Sequence, residues 1–423
     1  MELKPGYKQT EVGVIPEDWD VKRLRDISPS QSVGIVINPS SYFEANGEVP
    51  MLVGSCISEN KINAEKASRI SSKNSERLSA CRLKAGDLVT VRVGFPGTTA
   101  VVPTELDGCN CASMMIIRRH KSFDSYWLAQ LLNSPIGRVQ IENVEYGTAQ
   151  KQFNISHAID FIFPVPPPAE QSKIAEAAKN FDEYIESLEQ KIEKKRRIKQ
   201  AAMQELLTGK LRLPGFEGEW EVKRLGDEIR DLEAGVSVRS TTDNEQPSTG
   251  HYILKTSAVS QGQFSPIETK EIISCDISRA KTPIKAGDLI ISRMNTPALV
   301  GECGYSHSDH PNLFLPDRLW RAAYRDPQAV SSRWLSYTLS TQQNRTRIKE
   351  LATGTSGSMK NISKRPLLDL QIKWPSLDEQ NTIAKVLSEM DDDIDAINAQ
   401  LNKAQGIKRG MMQQLLTGKI RLR

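Results

Sequence analysis

The sequence predicts an α+β fold: two globular mixed α/β domains separated by two long helices that form an antiparallel coiled coil, arranged as a pseudo-two-fold internal repeat. Three observations predict it. First, Leu206-Leu207-Thr208-Gly209-Lys210-Leu211-Arg212-Leu213 returns as Leu415-Leu416-Thr417-Gly418-Lys419-Ile420-Arg421-Leu422, every number shifted by 209. The match runs back through Ile198-Lys199 against Ile407-Lys408, Ile174-Ala175 against Ile383-Ala384, and Glu170-Gln171 against Glu379-Gln380. Second, the fronts of the halves match at an offset of 201: Trp19-Asp20-Val21-Lys22-Arg23-Leu24 against Trp220-Glu221-Val222-Lys223-Arg224-Leu225, and Lys84-Ala85-Gly86-Asp87-Leu88 against Lys285-Ala286-Gly287-Asp288-Leu289. A repeat of this length is a duplicated module, not a solenoid of small units. Third, apolar residues in the shared segments recur in alternating steps of four and three, the spacing of a heptad seam.

In chain order, residues 1–165 form a first domain, 166–213 a central long helix, 214–374 a second domain and 375–423 a C-terminal long helix. Within the domains, Asp87-Leu88-Val89-Thr90-Val91 and Asp288-Leu289-Ile290-Ile291-Ser292 are strands entered from a glycine turn. Tyr126–Leu132 and Arg333–Leu339 are short helices, and Pro164, Pro166, Pro167 and Pro168, then Pro375, close the two regions. The first seam is Ile174, Ala178, Phe181, Ile185, Leu188, Ile192, Lys195, Lys199, Ala202 and Leu206. The second is Ile383, Leu387, Met390, Ile394, Ile397, Leu401, Ala404, Lys408, Met411 and Leu415. Gly209 and Gly418 supply the residue that ends each helix. Pairing with each other buries these seams; packing of each helix on its own domain is the alternative. Pro214-Gly215-Phe216 leads to Trp220 much as Pro5-Gly6-Tyr7 leads to Trp19, so the termini are expected close together.

Composition bounds the function. A chain of 423 residues with 38% apolar and 26% charged residues is an ordinary globular protein of several domains. No apolar run approaches the roughly eighteen residues that a membrane span requires, and the opening Met1-Glu2-Leu3-Lys4-Pro5-Gly6 has no apolar signal region, so a cytoplasmic location without membrane contact is expected. Six cysteines make no disulfide framework, Cys109-Asn110-Cys111 is too tightly spaced for paired thiolate ligands, and His307-Ser308-Asp309-His310 lacks a second ligand pair, so no metal site is expected. The net charge is only +4, with a local basic excess over Lys191–Lys199 that reads first as a solvated helix face.

Where the halves diverge, the loop residues fit nucleic acid and plain polar turns equally well. Gly94-Phe95-Pro96-Gly97 faces Asn295-Thr296-Pro297-Ala298. Arg92 and Arg293 leave the glycine-entered strands into irregular loops, and the later loops Gly147–Ser156 and Gly354–Ser363 carry amide, hydroxyl and basic side chains. Such groups suit guanine and adenine edges and phosphate oxygens. The candidate DNA-binding residues are Arg92, Thr148, Gln150, Lys151 and Gln152 in the first half, and Arg293, Ser358 and Lys360 in the second. Plain polar turns whose Asn and Ser side chains cap the next segment are the competing reading.

The duplicated order of these pieces resembles the specificity subunit of type I restriction-modification systems. The resemblance rests on Ile15-Pro16-Glu17-Asp18-Trp19, the Gly-Asp-Leu strand entries, the Gly-Thr loops before Asn154-Ile155-Ser156 and Asn361-Ile362-Ser363, the proline-then-Glu-Gln helix starts and the closing Leu-Leu-Thr-Gly-Lys. It implies two target recognition domains, each reading one half of a split double-stranded DNA sequence. It also implies helices that set the spacing and bind two methyltransferase (modification) subunits, to which endonuclease-translocase (restriction) subunits add. No catalytic residue and no cofactor are expected in this chain; S-adenosylmethionine, ATP and Mg are expected in the partner subunits. Consistently, there is no Asn-Pro-Pro-Tyr or Asp-Pro-Pro-Tyr stretch, and Gly209-Lys210 and Gly418-Lys419 lack the following hydroxyl of a phosphate-cradling loop. A self-contained DNA-modifying or cleaving enzyme and a coiled-coil scaffold without DNA are the alternatives.

Overall fold

A computed structural model describes residues 5–36, 38–148, 150–241, 248–354 and 358–422. The chain divides into two compact units, Met1–Gln190 with Asn398–Arg423, and Lys191–Ile397. The long helices, Pro168–Leu206 and Leu377–Leu415, are 39 residues each, and each contributes to both units.

In the first unit the strand Asp20–Arg23 pairs antiparallel with Ile162–Val165, joining the two ends of the globular part. Between them lies an antiparallel sheet in the order Thr99–Val101, Leu88–Val91, Met114–Ile117, Gln31–Val33. All four residues of Leu88–Val91 are buried because the sheet is covered on both faces. Leu88, Met115 and Ile117 pack with the helix Ser125–Asn133, whereas Val89, Val91, Met114 and Ile116 pack with Leu52, Leu83 and Cys111. A smaller sheet, Asn110–Cys111, Val49–Leu52, Ser68–Ile70, completes the opposite layer.

The second unit repeats this frame. Glu221–Arg224 pairs with Gln371–Trp374, and the main sheet runs Cys303–Tyr305, Leu289–Ser292, Leu319–Tyr324, Ile229–Ala234. Its second sheet is larger, five strands ordered Ser240–Thr241, Thr269–Ile272, Tyr252–Leu254, His310–Phe314, Pro283–Ile284. The Lys-Ala-Gly-Asp-Leu repeat is a turn with a defined job. Gly86 and Gly287 sit at φ +88° and +86°, where a side chain is strained, and the carboxylates of Asp87 and Asp288 accept from the main-chain N–H of Lys84 and Lys285 at 2.9 and 2.8 Å.

Within each unit the start of one long helix lies antiparallel to the end of the other. In the first unit Lys408 Nζ donates to Asp182 Oδ1 at 2.6 Å; in the second, Lys199 bonds Asp391 and Lys195 Nζ donates to Asp393 at 2.6 Å. Each of these pairs joins an early position of one helix to a late position of the other. The seam residues Ile174, Ala178, Ile185, Leu188, Ile192, Ile383, Leu387, Ile394 and Ile397 are buried, with Phe181 and Leu401 half-buried. Lys199 and Lys408, charged residues at seam positions, are each only 15% exposed. A carboxylate from the facing helix meets each, as a buried charge in a coiled coil requires; such a pair also favours one register over its neighbours.

The Glu-Gln motif at each helix start is a structural node. Glu170 accepts two bonds from Arg421, at 2.7 and 2.7 Å, and one from Trp19 Nε1 at 3.0 Å. Glu379 accepts two from Arg212, at 2.6 and 2.8 Å, and one from Trp220 Nε1 at 3.1 Å. Each guanidinium also lies 5.7 Å from the centre of the same indole. In the first node the bonds of Glu170, then those of Asp18, push the Arg421 pKa further up. Gln171 accepts from the main chain of Asp124 at 3.0 Å, and Gln380 from Ser331 at 3.0 Å, tying each helix start to its domain. The glycine at each helix end is favoured by its conformation, φ +73° at Gly209 and +68° at Gly418, and Gly418 also by space, since a Cβ there would stand 2.4 Å from Pro16. Tyr7 Oη donates to Gly418 O at 3.0 Å, bringing the described ends of the chain together as the sequence leads one to expect.

Candidate nucleic-acid interface

At the exit of the buried strand in each unit, the chain forms a short ladder with the segment that precedes the last small helix. In the first unit Val93 pairs with Gln152 and Gln152 with Tyr146, the latter through two main-chain bonds of 2.9 Å. In the second, Met294–Asn295 pairs antiparallel with Lys360–Asn361, and Asn361 with Thr353 through bonds of 2.8 and 2.9 Å. Two segments adjoin each ladder: Gly94–Gly97 and the stretch that carries Thr148 and Gln150 in the first unit, Thr296–Ala298 and the stretch that carries Ser358 in the second.

This ladder gathers the sequence candidates of each half. Arg92 sits at its root, half-buried, with Nε donating to Phe153 O at 3.3 Å. Arg293 is its counterpart, with Nε donating to Asn361 Oδ1 at 3.3 Å and its guanidinium 5.6 Å from the Trp320 ring centre. Both arginines are therefore oriented by the fold, with one of their five N–H donors committed to it. Lys151 is exposed but ion-paired with Glu145, which pushes its pKa up. Lys360 Nζ donates to Gly354 O at 2.7 Å. Thr148 and Gln150 are exposed on the first loop, and Ser358 is exposed on the second. Gln152 is half-buried and spends its main chain on the ladder. Ala149, Thr355, Ser356 and Gly357 of these loops lie outside the described residues. The two candidate sets lie in different units, and each is complete within its own.

The geometry adds two side chains to which the sequence reading gave no role. Phe95 is 85% exposed at the tip of the first loop, and Tyr146 is exposed on the ladder itself, its hydroxyl donating to Asn154 Oδ1 at 3.0 Å. The signal was present in the divergence of Gly94-Phe95-Pro96-Gly97 from its counterpart, but apolar character gave no reason to call it a contact.

Among the described residues, no group of three or more His, Cys, Asp or Glu side chains could hold a metal ion. His307 and His310 are instead engaged with rings, His307 against Tyr305 at 4.9 Å and His310 against Phe264 at 5.7 Å. Five of the six free cysteines are buried; burial pushes Cys109 and Cys303 up to about 12, so neither is a thiolate at neutral pH. No described helix is long and apolar enough to cross a membrane.

A duplicated frame that carries two unlike polar loop sets presents two different surfaces on one mount, the plan of a two-part recognition module. Known proteins agree. The family described as the type I restriction modification DNA specificity domain matches twice, over residues 16–195 and 217–405. The MjaX specificity subunit ascribed to a type I restriction enzyme of Methanocaldococcus jannaschii is 25% identical, over 99% of this chain and 97% of its own. The type I restriction enzyme EcoKI specificity subunit of Escherichia coli K12 is 28% identical over 71% of this chain and 66% of its own. The crystal structure of the type I restriction-modification S subunit from M. genitalium matches the fold with a TM-score of 0.61 at 13% identity, over 98% of each chain. The chain belongs to the type I restriction-modification specificity family. It is a DNA-recognition subunit with two target recognition domains and is not itself a catalyst. Subunits of this family work with DNA and with methyltransferase and restriction subunits.

Proposed function

We propose that each target recognition domain reads one half of a split DNA target through the loops of its ladder. Arg92, Thr148, Gln150, Lys151 and Gln152 serve the first half-site, and Arg293, Ser358 and Lys360 the second. The arginines, aimed by Phe153 O and by Asn361 with Trp320, are the base readers, suited to the O6 and N7 of guanine. The lysines serve phosphates, once Lys151 exchanges Glu145 for the DNA backbone. The observation that carries this reading is the duplicated ladder, the same mount presenting different side chains.

The long helices set the spacing of the two halves and dock two methyltransferase subunits, to which restriction subunits add. A duplicated exposed residue supports this: Ile198 and Ile407, equivalent under the repeat, are 50% and 48% exposed on the helices. Matched apolar residues on matched helix faces suit two copies of one partner. S-adenosylmethionine, ATP and Mg then belong to those partners, and the assembly works in the cytoplasm. Mapping methylated bases across the source genome with and without this gene tests the reading. A bipartite motif that disappears with the gene is expected; a continuous motif, or none, would overturn it.

A further inference from the structure

The two ladders differ most at their tips. Where the first has Phe95 and Tyr146, the second has Thr296 and Thr353 at the same places in the pairing. A single exposed apolar side chain is ordinary on a protein surface. What sets Phe95 apart is how rigidly its backbone is held. Gly94 N–H donates to Lys151 O at 3.0 Å and Gly97 N–H to Val91 O at 2.8 Å. The carbonyl of Phe95 accepts from Thr98 Oγ1 at 3.1 Å, and that of Pro96 from Arg138 Nη1 at 3.0 Å. Gly97, at φ +89°, seats the loop against the helix Pro135–Glu142, since a Cβ there would stand 2.3 Å from Ile141 Cδ1. The carbonyls of the tip are satisfied from below while the ring points into solvent. At the base of the tip, Glu145 and Glu59 are ion-paired to Lys151 and Arg138, and Glu142 lines the same cleft.

A ring carried on a fixed backbone beside a polar loop suits an apolar wedge. The loop loses little backbone freedom on contact, and the ring gains by entering a base step where polar groups alongside hold the DNA backbone. Resting on the reading that the first domain binds the first half-site, we propose that Phe95 inserts at a base step of that half-site, with Tyr146 flanking it, while the second domain reads its half without a wedge. Unstacking is least costly at flexible pyrimidine–purine steps. The first half-site therefore carries a TA or CA/TG step where Phe95 enters, and its specificity rests partly on deformability.

The test uses the full chain assembled with its methyltransferase partner, on duplexes of the mapped target with 2-aminopurine placed at successive positions of both halves. Fluorescence of the wild-type complex should rise at one step of the first half only. F95A should abolish that rise and weaken binding about tenfold, in the range of a lost base–aromatic contact. F95W should retain both, and T296A, in the other domain, should leave the rise at the first half in place. The exposure of Phe95 predicts an unchanged melting temperature for F95A, which checks the fold. Wild-type fluorescence without a rise, or F95A behaving as wild type, would overturn the wedge. Reduced co-purification of methyltransferase by F95A would also overturn it, because the ring would then be a protein anchor. Footprinting in the same series separates the two claims: if the wild-type complex leaves the first half unprotected, the assignment of the first domain to that half fails instead.

Discussion

The two target recognition domains share their frame and differ at their loops, and the line between shared and different runs between structure and recognition. Both have the central sheet in the same order, the Gly-Asp turn, and the Trp-Glu-Arg node. They part at the ladder tips, in the second sheet, of three strands against five, and in what holds the carboxylate at the heart of each helix pair. Asp182 meets Lys408 and Gln130, whereas Asp391 meets Lys199, Arg333 and Tyr337. Duplicated sequence thus marks what the fold needs twice, and divergent sequence marks what each half does alone.

The largest way to break the shared part is at the node. Removing one partner of a buried, hydrogen-bonded ion pair costs about 3–5 kcal/mol, and Glu379→Ala should fall in that range. Glu170→Ala should cost less, because the Asp18 carboxylate still neutralises Arg421 at 2.8 and 2.9 Å, whereas Arg212 would keep only the neutral carbonyls of Glu217 and Gly218. Denaturant unfolding of both variants checks the order; equal midpoints would mean that Asp18 contributes nothing.

Next comes partner docking. A charge placed in a packed interface should cost roughly 2 kcal/mol or more, the size of a binding hot spot. Ile198→Asp and Ile407→Asp should each lose one methyltransferase subunit from the complex while the chain stays folded. Native mass of the assembly reads this directly. Retention of both subunits in both variants would take these residues out of the docking surface.

Smaller effects belong to the loops. Arg92→Ala and Arg293→Ala should each cost about 1–3 kcal/mol and relax one position in one half-site, whereas Lys151→Ala and Lys360→Ala should weaken all sequences alike and reduce the salt dependence. Binding titrations on a panel of single-base variants at several salt concentrations separate the two patterns. Arginine variants that lose affinity uniformly would be phosphate contacts, and the base assignment would fall.

What was legible in the sequence was what is local or repeated. The heptad seam from Ile174 to Leu206 announces a long helix because its period is local, and its copy from Ile383 to Leu415 supplies the partner. The turns at Gly86 and Gly287 are legible for the same reason. The node was visible only as recurring motifs without a reason, since Glu170 meets Arg421 and Trp19 across long stretches of chain. Lys199 and Lys408 fall at seam positions in the sequence, but only the fold shows the facing aspartates that make a charge tolerable there. The candidate contacts were legible as polar loop residues, but their commitments were not: nothing local says that Lys151 is held by Glu145 or that Arg293 lies over Trp320. Phe95 was missed because exposure is a property of the fold.

If each domain reads its own half-site, exchanging one domain should exchange one half of the target. Residues 25–165 are replaced by the corresponding region of another family member, the hybrid is expressed with the same methyltransferase, and its methylated motif is mapped across the genome. One half of the motif should change to that of the donor while the other half stays as it was. A motif in which both halves change together, or neither does, would contradict it.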